Sequence, residues 1–158
     1  MHFTKRIIVF GLFLVALFGM AACSTPQKQA APQQMNLRPN ETPELRRMIN
    51  SYADQYEIPR ALMHRVVTRE SSYRPEARNG SYYGLMQISP QTAGAMGFSG
   101  APRNLLDAET NLKYAGKYLR GAWLLSDGSS DKAVSLYSRG YYYEAKRRGM
   151  LKETGLRN

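Results

Sequence analysis

The sequence predicts a mainly α-helical single domain with at most a small β-hairpin or extended turn, and three observations support this class. Beyond residue 42, apolar residues recur every three or four positions in successive segments, which is the spacing of helices with one buried face. Polar caps or prolines precede these segments, and glycines or prolines follow several of them. The stretch from Gly80 to Ile88 is the one place where a small hairpin or extended turn is expected.

The first three helices are predicted from the residues that begin them. Thr42 and Pro43 supply a cap and a first-position proline for the first helix. Pro59 begins the second helix and Pro75 ends it, while Ser89-Pro90 begins a short third one. The apolar faces of the first two helices consist of Leu45, Met48, Ile49, Tyr52 and Tyr56, and of Leu62, Met63, Val66 and Val67.

Three further helices are predicted after residue 106. Asp107 caps the fourth helix, and a residue at 130 or 131 caps the fifth, which ends at Gly140. Residues 141–148 form the sixth helix, before a glycine stop. The inward face of the fourth helix consists of Leu112, Ala115, Leu119 and Trp123.

The amino-terminal residues have the features of an export signal. Lys5 and Arg6 precede an uninterrupted apolar stretch, Ile7 to Ala22, that ends in small residues. This stretch is shorter than the roughly 20 residues that a membrane span needs. We therefore predict that residues 1–22 are a signal peptide and that the protein is exported.

Cys23 is the only cysteine of the chain, and it directly follows this segment. The run Met20-Ala21-Ala22-Cys23 resembles a lipoprotein signal box, which implies that Cys23 becomes the acylated first residue of the mature protein. The next residue, Ser24, resembles an outer-membrane sorting signal. We expect a lipid anchor in the periplasmic face of the outer membrane; the alternative is a plain signal peptide cleaved near a cysteine.

The composition changes again after the cysteine. Residues 23–42 are rich in Gln, Pro and Ala without apolar periodicity, and they predict a disordered tether behind the lipidated residue. Residues 43–158 are long enough to bury one core without disulfides. We expect one domain that acts as a monomer.

The chain is strongly basic, with a net charge of +10 and a sequence pI near 9.9. Such a charge suits nucleic acid, anionic lipid or the carboxylates of cell-wall peptides, although surplus lysine and arginine can also serve solubility alone. No nucleic-acid-binding motif is present, and export argues against nucleic acid as a partner. No Cys/His cluster predicts a metal, and no cofactor is expected.

Glu70 is the candidate catalytic residue. It follows Val66 and Val67 at helical spacing, on the face predicted to be buried. Burial disfavours the ionised carboxylate, so the pKa rises and the group can act as a general acid. The alternative is a helix-end glutamate paired with a nearby arginine.

Four ordered blocks resemble one family. They are Val67–Pro75 with Glu70-Ser71, Gly84–Ala93 with the run Gly-Leu-Met-Gln-Ile, Asp107–Leu119, and Leu136–Gly140. Together they resemble the soluble lytic transglycosylase (SLT) domain, related to goose-type lysozymes, over about residues 58–140. The resemblance implies a lysozyme-like fold. In the last block only Tyr137 and Gly140 agree, because Ser138 and Arg139 stand where the family has an asparagine and a small residue.

The resemblance also implies roles for individual residues. Glu70 is the single catalytic acid and base, Ser71 orients the reacting sugar or a water, and Tyr137 hydrogen-bonds towards Glu70. Gly84 lets the backbone approach the glycan closely, while Met86 and Gln87 contact its N-acetyl sugars. Core packing remains an alternative for Met86 and Tyr137. For Asn111, two alternatives stay open, a buried structural amide and a ligand contact.

The implied activity is that of a peptidoglycan lytic transglycosylase, a lyase of cell-wall remodelling. It cleaves the MurNAc-β-1,4-GlcNAc bond of the glycan strands and forms 1,6-anhydro-MurNAc ends. The sequence offers no convincing second carboxylate, which fits this chemistry. The alternatives are a hydrolytic muramidase on the same fold and a non-catalytic peptidoglycan-binding lipoprotein. The sequence does not decide whether a secretion or conjugation machine is a partner.

Overall fold

The computed structural model describes residues 36–157, in which six α-helices and one small hairpin are connected by loops. The helices are α1 (Pro43–Gln55), α2 (Arg60–Ser71), α3 (Pro90–Ala95), α4 (Ala108–Leu124), α5 (Ser130–Arg139) and α6 (Tyr142–Arg147). A 3-10 helix over Pro102–Leu106 was not predicted. The mainly α class is confirmed. The predicted signal peptide, the lipid attachment at Cys23 and most of the tether lie outside the described residues.

The predicted caps form for α1, α3 and α4. The side chains of Thr42, Ser89 and Asp107 each accept a hydrogen bond from the backbone N–H three residues later, at 2.8 to 3.1 Å. The fifth helix begins earlier than predicted, because Ser129 is its cap and accepts a bond of 3.2 Å in the same way. Each cap satisfies a backbone donor that the first turn of a helix leaves without a partner.

Helix α4 lies at the centre of the core and contacts α1, α3, α5 and the 3-10 helix. Its inward face consists of residues without exposed surface, among them Leu112, Ala115, Leu119 and Ala122. Gly121 lets Tyr141 pack directly on this helix, since a Cβ at that position would overlap the tyrosine hydroxyl. The central helix therefore fixes the elements on either side of it.

The predicted hairpin forms, and it starts two residues before the predicted stretch. Strand β1 (Arg78–Asn79) pairs antiparallel with β2 (Tyr82–Tyr83). Tyr83 and Ile88 then exchange both backbone hydrogen bonds at 3.1 Å, which closes the loop Gly84–Gln87 between them. The loop is thus a second, tighter turn that continues the hairpin.

The last residues of the predicted tether belong to the packed domain. Arg38 donates a hydrogen bond of 2.9 Å to the hydroxyl of Thr68, and the Asn40 amide donates one of 3.0 Å to the carbonyl of Ser72. Both acceptors lie at the carboxyl end of α2. The domain therefore begins before residue 43, where we predicted its boundary.

Glu41 anchors this segment through an ion pair in which the carboxylate is buried and the arginine is partly exposed. Its side chain has no exposed surface, and Arg46 donates two hydrogen bonds to the carboxylate, one of them 2.7 Å long. The Arg46 guanidinium holds the pKa of the Glu41 carboxyl below its usual value. His64 lies 3.8 Å away, and burial lowers the pKa of its imidazole, which favours the neutral ring.

No helix within residues 36–157 is long and apolar enough to cross a membrane.

Replacing the buried carboxylate should destabilise the domain. We expect Glu41→Gln to lower the free energy of unfolding by about 2 kcal/mol at pH 7, because the two hydrogen bonds from the partly exposed Arg46 lose their charged acceptor. Urea denaturation measures this loss. The control Glu44→Gln breaks an ion pair with Arg47 in which both side chains are exposed, so its urea midpoint should stay close to that of the native protein.

The stabilisation by the Glu41 carboxylate should decrease as the pH falls. The folded-state pKa of Glu41 is lowered from 4.5, so its stabilising contribution is present above that pH and is lost as the pH falls below it. The native protein and Glu41→Gln should therefore approach equal stability in acid. A difference that grows as the pH falls would contradict the assignment.

Candidate active site

A cleft of about 930 Å³ lies on one side of the domain. Its walls come from the end of α2, the hairpin, the start of α3, the middle of α4 and the end of α5. The residues that line it include Glu70, Gln87, Tyr118, Tyr137 and Ser138. All four sequence blocks therefore contribute to one concave surface.

Glu70 is the penultimate residue of α2, where this helix meets the cleft. The preceding apolar face is buried as predicted, with Val66 and Val67 at most 1% exposed. The helix ends because Ser72 and Tyr73 adopt left-handed backbone angles, with φ of 52° and 63°. Two consecutive non-glycine residues in this region are uncommon, and such strain is typical of functional sites.

The environment of Glu70 favours a protonated carboxyl group. Its side chain is 22% exposed, and burial raises its pKa, while the neighbouring Arg69 acts in the opposite direction. The Arg69 Nε atom lies 3.7 Å from the carboxylate, which is too far for a strong hydrogen bond. Within residues 36–157, no protein group donates a hydrogen bond to this carboxylate. It is therefore available to a ligand in the cleft.

Asn111 organises the wall formed by the loop Gly84–Gln87. This side chain is fully buried, and its Oδ1 accepts the backbone N–H of Met86 at 2.9 Å. Its Nδ2 donates to the carbonyls of Tyr83 and Leu105, each at 2.8 Å. All three bonds are internal to the protein, so Asn111 is a buried structural amide, one of the two alternatives left open by the sequence.

Gly84 leaves the space that the Asn111 amide occupies. The residue is buried with φ of 76°, and a Cβ there would overlap the Asn111 amide and the Leu105 carbonyl. We predicted that the missing Cβ lets the backbone approach a glycan. The structure instead brings Asn111 against this face of Gly84, which does not line the cleft.

Met86 and Tyr137 are joined by a hydrogen bond across the domain. The Tyr137 hydroxyl donates to the backbone carbonyl of Met86 at 2.7 Å, whereas we predicted a bond towards Glu70. Burial, together with the negative charge of Glu70, raises the pKa of Tyr137 well above its usual value. Met86 itself has no exposed side chain and does not line the cleft, which matches the core alternative for this residue.

Gln87 is the loop residue that reaches the cleft. Its backbone is left-handed, with φ of 49°. Its Nε2 donates to the carbonyls of Ala77 and Gly84 at 3.0 and 2.9 Å. These bonds fix the side chain and leave its Oε1 to accept a hydrogen bond from a ligand.

Ser71 does not reach the cleft. It is only 2% exposed, and its hydroxyl donates to the carbonyl of Val67 at 3.2 Å. The structure thus does not place it where it could orient a sugar or a water. Among the predicted site residues, the cleft brings together Glu70, Gln87 and Tyr137, while Ser71, Gly84 and Met86 lie behind its walls.

Several residues of the cleft were not predicted to act there. Tyr118 lines it and packs between two other tyrosines, with ring centroids 5.4 Å from Tyr137 and 4.6 Å from Tyr141. Tyr82 on the hairpin is 53% exposed within the same cleft. The tyrosines of these two segments are visible in the sequence. The sequence pattern does not show that Tyr82 and Tyr118 face the same cleft.

The family model described as the transglycosylase SLT domain matches residues 47–152, which include every residue that lines the cleft. The chain belongs to the SLT transglycosylase family. Membership implies peptidoglycan as the substrate and a lytic transglycosylase type of activity at the level of the family. No solved structure matches the chain. Within residues 36–157 of this SLT domain, no cluster of His, Cys, Asp and Glu side chains could hold a metal ion.

Removing the cation beside Glu70 should raise the pKa of its carboxyl further. Arg69 favours the ionised form, so we expect the Glu70 carboxyl of Arg69→Gln to titrate at higher pH than in the native protein. Carbon-detected NMR of the Glu70 side chain measures this. Arg65→Gln is the matched control, since Arg65 lies one turn earlier and pairs with Asp131 outside the cleft. An unchanged or lower pKa in Arg69→Gln would contradict the arrangement.

Proposed function

We propose that this SLT protein is a lytic transglycosylase that cleaves the MurNAc-β-1,4-GlcNAc bond and leaves 1,6-anhydro-MurNAc ends. The observation that carries the proposal is the state of Glu70 in the cleft. It is a half-buried carboxyl with a raised pKa and no hydrogen bond from residues 36–157. A general acid for a glycosidic oxygen needs these properties.

In the first step, protonated Glu70 donates its proton to the glycosidic oxygen as the C1–O bond breaks. The departing GlcNAc hydroxyl keeps that proton, and Glu70 becomes a carboxylate. Because burial raises its pKa, a larger fraction of the protein holds this proton near neutral pH than an exposed glutamate would. Arg69, 3.7 Å away, then stabilises the negative charge that forms.

The second step follows from the scarcity of carboxylates in the cleft. Apart from Glu70, Glu76 is the one carboxylate that lines it among the described residues, and Glu76 is exposed to solvent. The substrate's own N-acetyl oxygen can stabilise the positive charge at C1, as in substrate-assisted glycosidases. The 6-hydroxyl of the same MurNAc then attacks C1, and Glu70 takes back a proton. The ring closes without consuming water.

Two side chains in the same cleft as Glu70 fit the recognition of an N-acetyl sugar. The Oε1 atom of Gln87 is left to accept a hydrogen bond from an amide or a hydroxyl. Tyr82 offers an exposed ring of the kind that packs against the apolar face of a sugar. The Tyr137 hydroxyl donates its hydrogen to the carbonyl of Met86, so this hydrogen is directed at the loop and not at Glu70.

Digestion of purified sacculi by the full-length protein tests the chemistry through the mass of the released muropeptides. We expect anhydro ends, which are lighter by one water than the reducing ends that a hydrolytic muramidase would form. No release at all would favour a non-catalytic binding protein. Glu70→Gln should lower the rate by about 10²- to 10⁴-fold, the usual contribution of a general acid. Its matched control Glu76→Gln should stay within about threefold of the native rate, because an exposed carboxylate without a role contributes little.

We further propose that the protein is exported and anchored in the periplasmic face of the outer membrane by a lipid on Cys23. The support is the sequence of residues 1–24, which lies outside the described residues. Such an anchor would hold the SLT domain beside the cell wall.

Metabolic labelling tests the anchor. Labelled palmitate should enter the native protein but not Cys23→Ala, because acylation needs the thiol. The control Ser24→Ala keeps the thiol and should be labelled normally. A lipid that still enters Cys23→Ala would disprove the proposed attachment site.

A further inference from the structure

Four arginines line the cleft beside the candidate acid. They come from different elements: Arg69 from α2, Arg74 from the turn that follows it, Arg78 from β1, and Arg139 from the last position of α5. Arg139 stands at a position where the SLT family has a small residue. The cleft therefore carries more positive charge than the proposed cleavage of neutral sugars requires.

The arginines of this protein differ in their partners according to their position. Outside the cleft, most of those in residues 36–157 form an ion pair with a carboxylate. These are Arg46, Arg47, Arg60, Arg65, Arg120, Arg147 and Arg148. Within the cleft, only Arg69 lies within 4.0 Å of a described carboxylate, and that carboxylate is Glu70 itself.

The other three cleft arginines keep donors for a ligand. The Nε atom of Arg74 donates to the carbonyl of Ser71 at 3.0 Å, which holds the base of its guanidinium. Arg78 lies over the ring of Tyr83, 4.8 Å from its centroid, so its position is also set. The side chain of Arg139 makes no hydrogen bond with residues 36–157. All three side chains are exposed, and their terminal nitrogens are not used by residues 36–157.

Peptidoglycan offers carboxylates as partners for these cations. Its sugars are neutral when a peptide occupies the lactyl group of MurNAc, whereas the attached peptide stem carries free carboxylates. A guanidinium binds a carboxylate through two parallel hydrogen bonds, which a neutral amide cannot match. Three such groups in one cleft therefore distinguish an acidic stem from a neutral one.

We propose that Arg74, Arg78 and Arg139 bind the carboxylates of the peptide stems, so that this SLT domain selects strands with acidic stems. The proposal rests on the proposed function and names its substrate class. The three cations act on binding and not on the reacting atoms, so their effect belongs in KM. Exposed ion pairs are screened by salt, so the preference weakens as ionic strength rises.

The first experiment compares three soluble glycan substrates with the full-length protein. One carries native stems, one carries the same stems with their carboxylates converted to primary amides, and one is stripped by an amidase and keeps only the lactyl carboxylate. We expect kcat/KM for native stems to exceed that for amidated stems by about tenfold, chiefly through KM. Activity on the stripped strands equal to that on native stems would assign the arginines to the lactyl carboxylate and would overturn the proposal.

The triple variant Arg74→Gln/Arg78→Gln/Arg139→Gln should lose this preference. We expect its kcat/KM on native stems to fall about tenfold and its value on amidated stems to stay within about twofold. Arg103→Gln is the matched control: this exposed arginine also has no carboxylate partner in the described residues, but it lies on the 3-10 helix outside the cleft. Equal losses of kcat/KM on native and amidated stems would overturn the proposal. The single variant Arg139→Gln should show a smaller loss on native stems than the triple variant.

A binding measurement separates this proposal from the proposed activity. Inactivity of the native protein on all three substrates would refute only the cleavage chemistry. Full-length Glu70→Gln is then titrated with a fluorescent disaccharide-peptide in its free and amidated forms. We expect the free form to bind about tenfold more tightly at low salt, and the arginine substitutions to abolish the difference. Equal binding of the two forms would refute the carboxylate site whether or not the protein cleaves glycans.

Discussion

The three hydrogen bonds of the buried Asn111 side chain are the constraint on which the shape of the cleft depends. They join the central helix to the hairpin and to the 3-10 helix, and they hold the backbone of Met86 in place. Tyr137 then bonds to the carbonyl of Met86, which ties α5 to the same loop. Because each bond is buried, a lost partner would leave a polar group unsatisfied, at a cost of about 1–3 kcal/mol. The Asn111 amide therefore holds together the loop, the hairpin and the 3-10 helix that form this wall of the cleft.

Local patterns predicted the helices well, because caps, prolines and apolar spacing act over a few residues. The half-buried position of Glu70 could be predicted for the same reason, because helical spacing places it beside the buried face of α2, whereas its catalytic role was implied by the family resemblance. The directions of other side chains could not. Ser71 is adjacent to the acid yet turns into the core, and the partner of Met86 lies 25 residues away at Asn111. A family motif identifies such positions without showing which of them face the ligand.

The cleft is lined both by residues that agree with the SLT family pattern and by residues that differ from it. The parts of the sequence that agree with the SLT family supply the candidate acid Glu70 and the tightly held loop, whose Gln87 reaches the cleft. The residues that differ from those blocks lie at the same surface, since Ser138 and Arg139 both line the cleft. The Ser138 hydroxyl bonds back to its own helix at 2.9 Å, so Arg139 is the more available of the two. Under the proposed function, a departure from the family pattern at Arg139 changes which peptide stems are bound and leaves the chemistry at Glu70 unchanged.

Gly84 and Asn111 also constrain each other over evolutionary time. A side chain at Gly84 would occupy the space of the Asn111 amide, and a smaller residue in place of Asn111 would leave the loop's buried backbone groups without partners. A substitution at either position alone should therefore disturb the loop. Descendants of this sequence should therefore inherit the two residues together or replace them together, and a lineage that loses one would mark the loss of this wall.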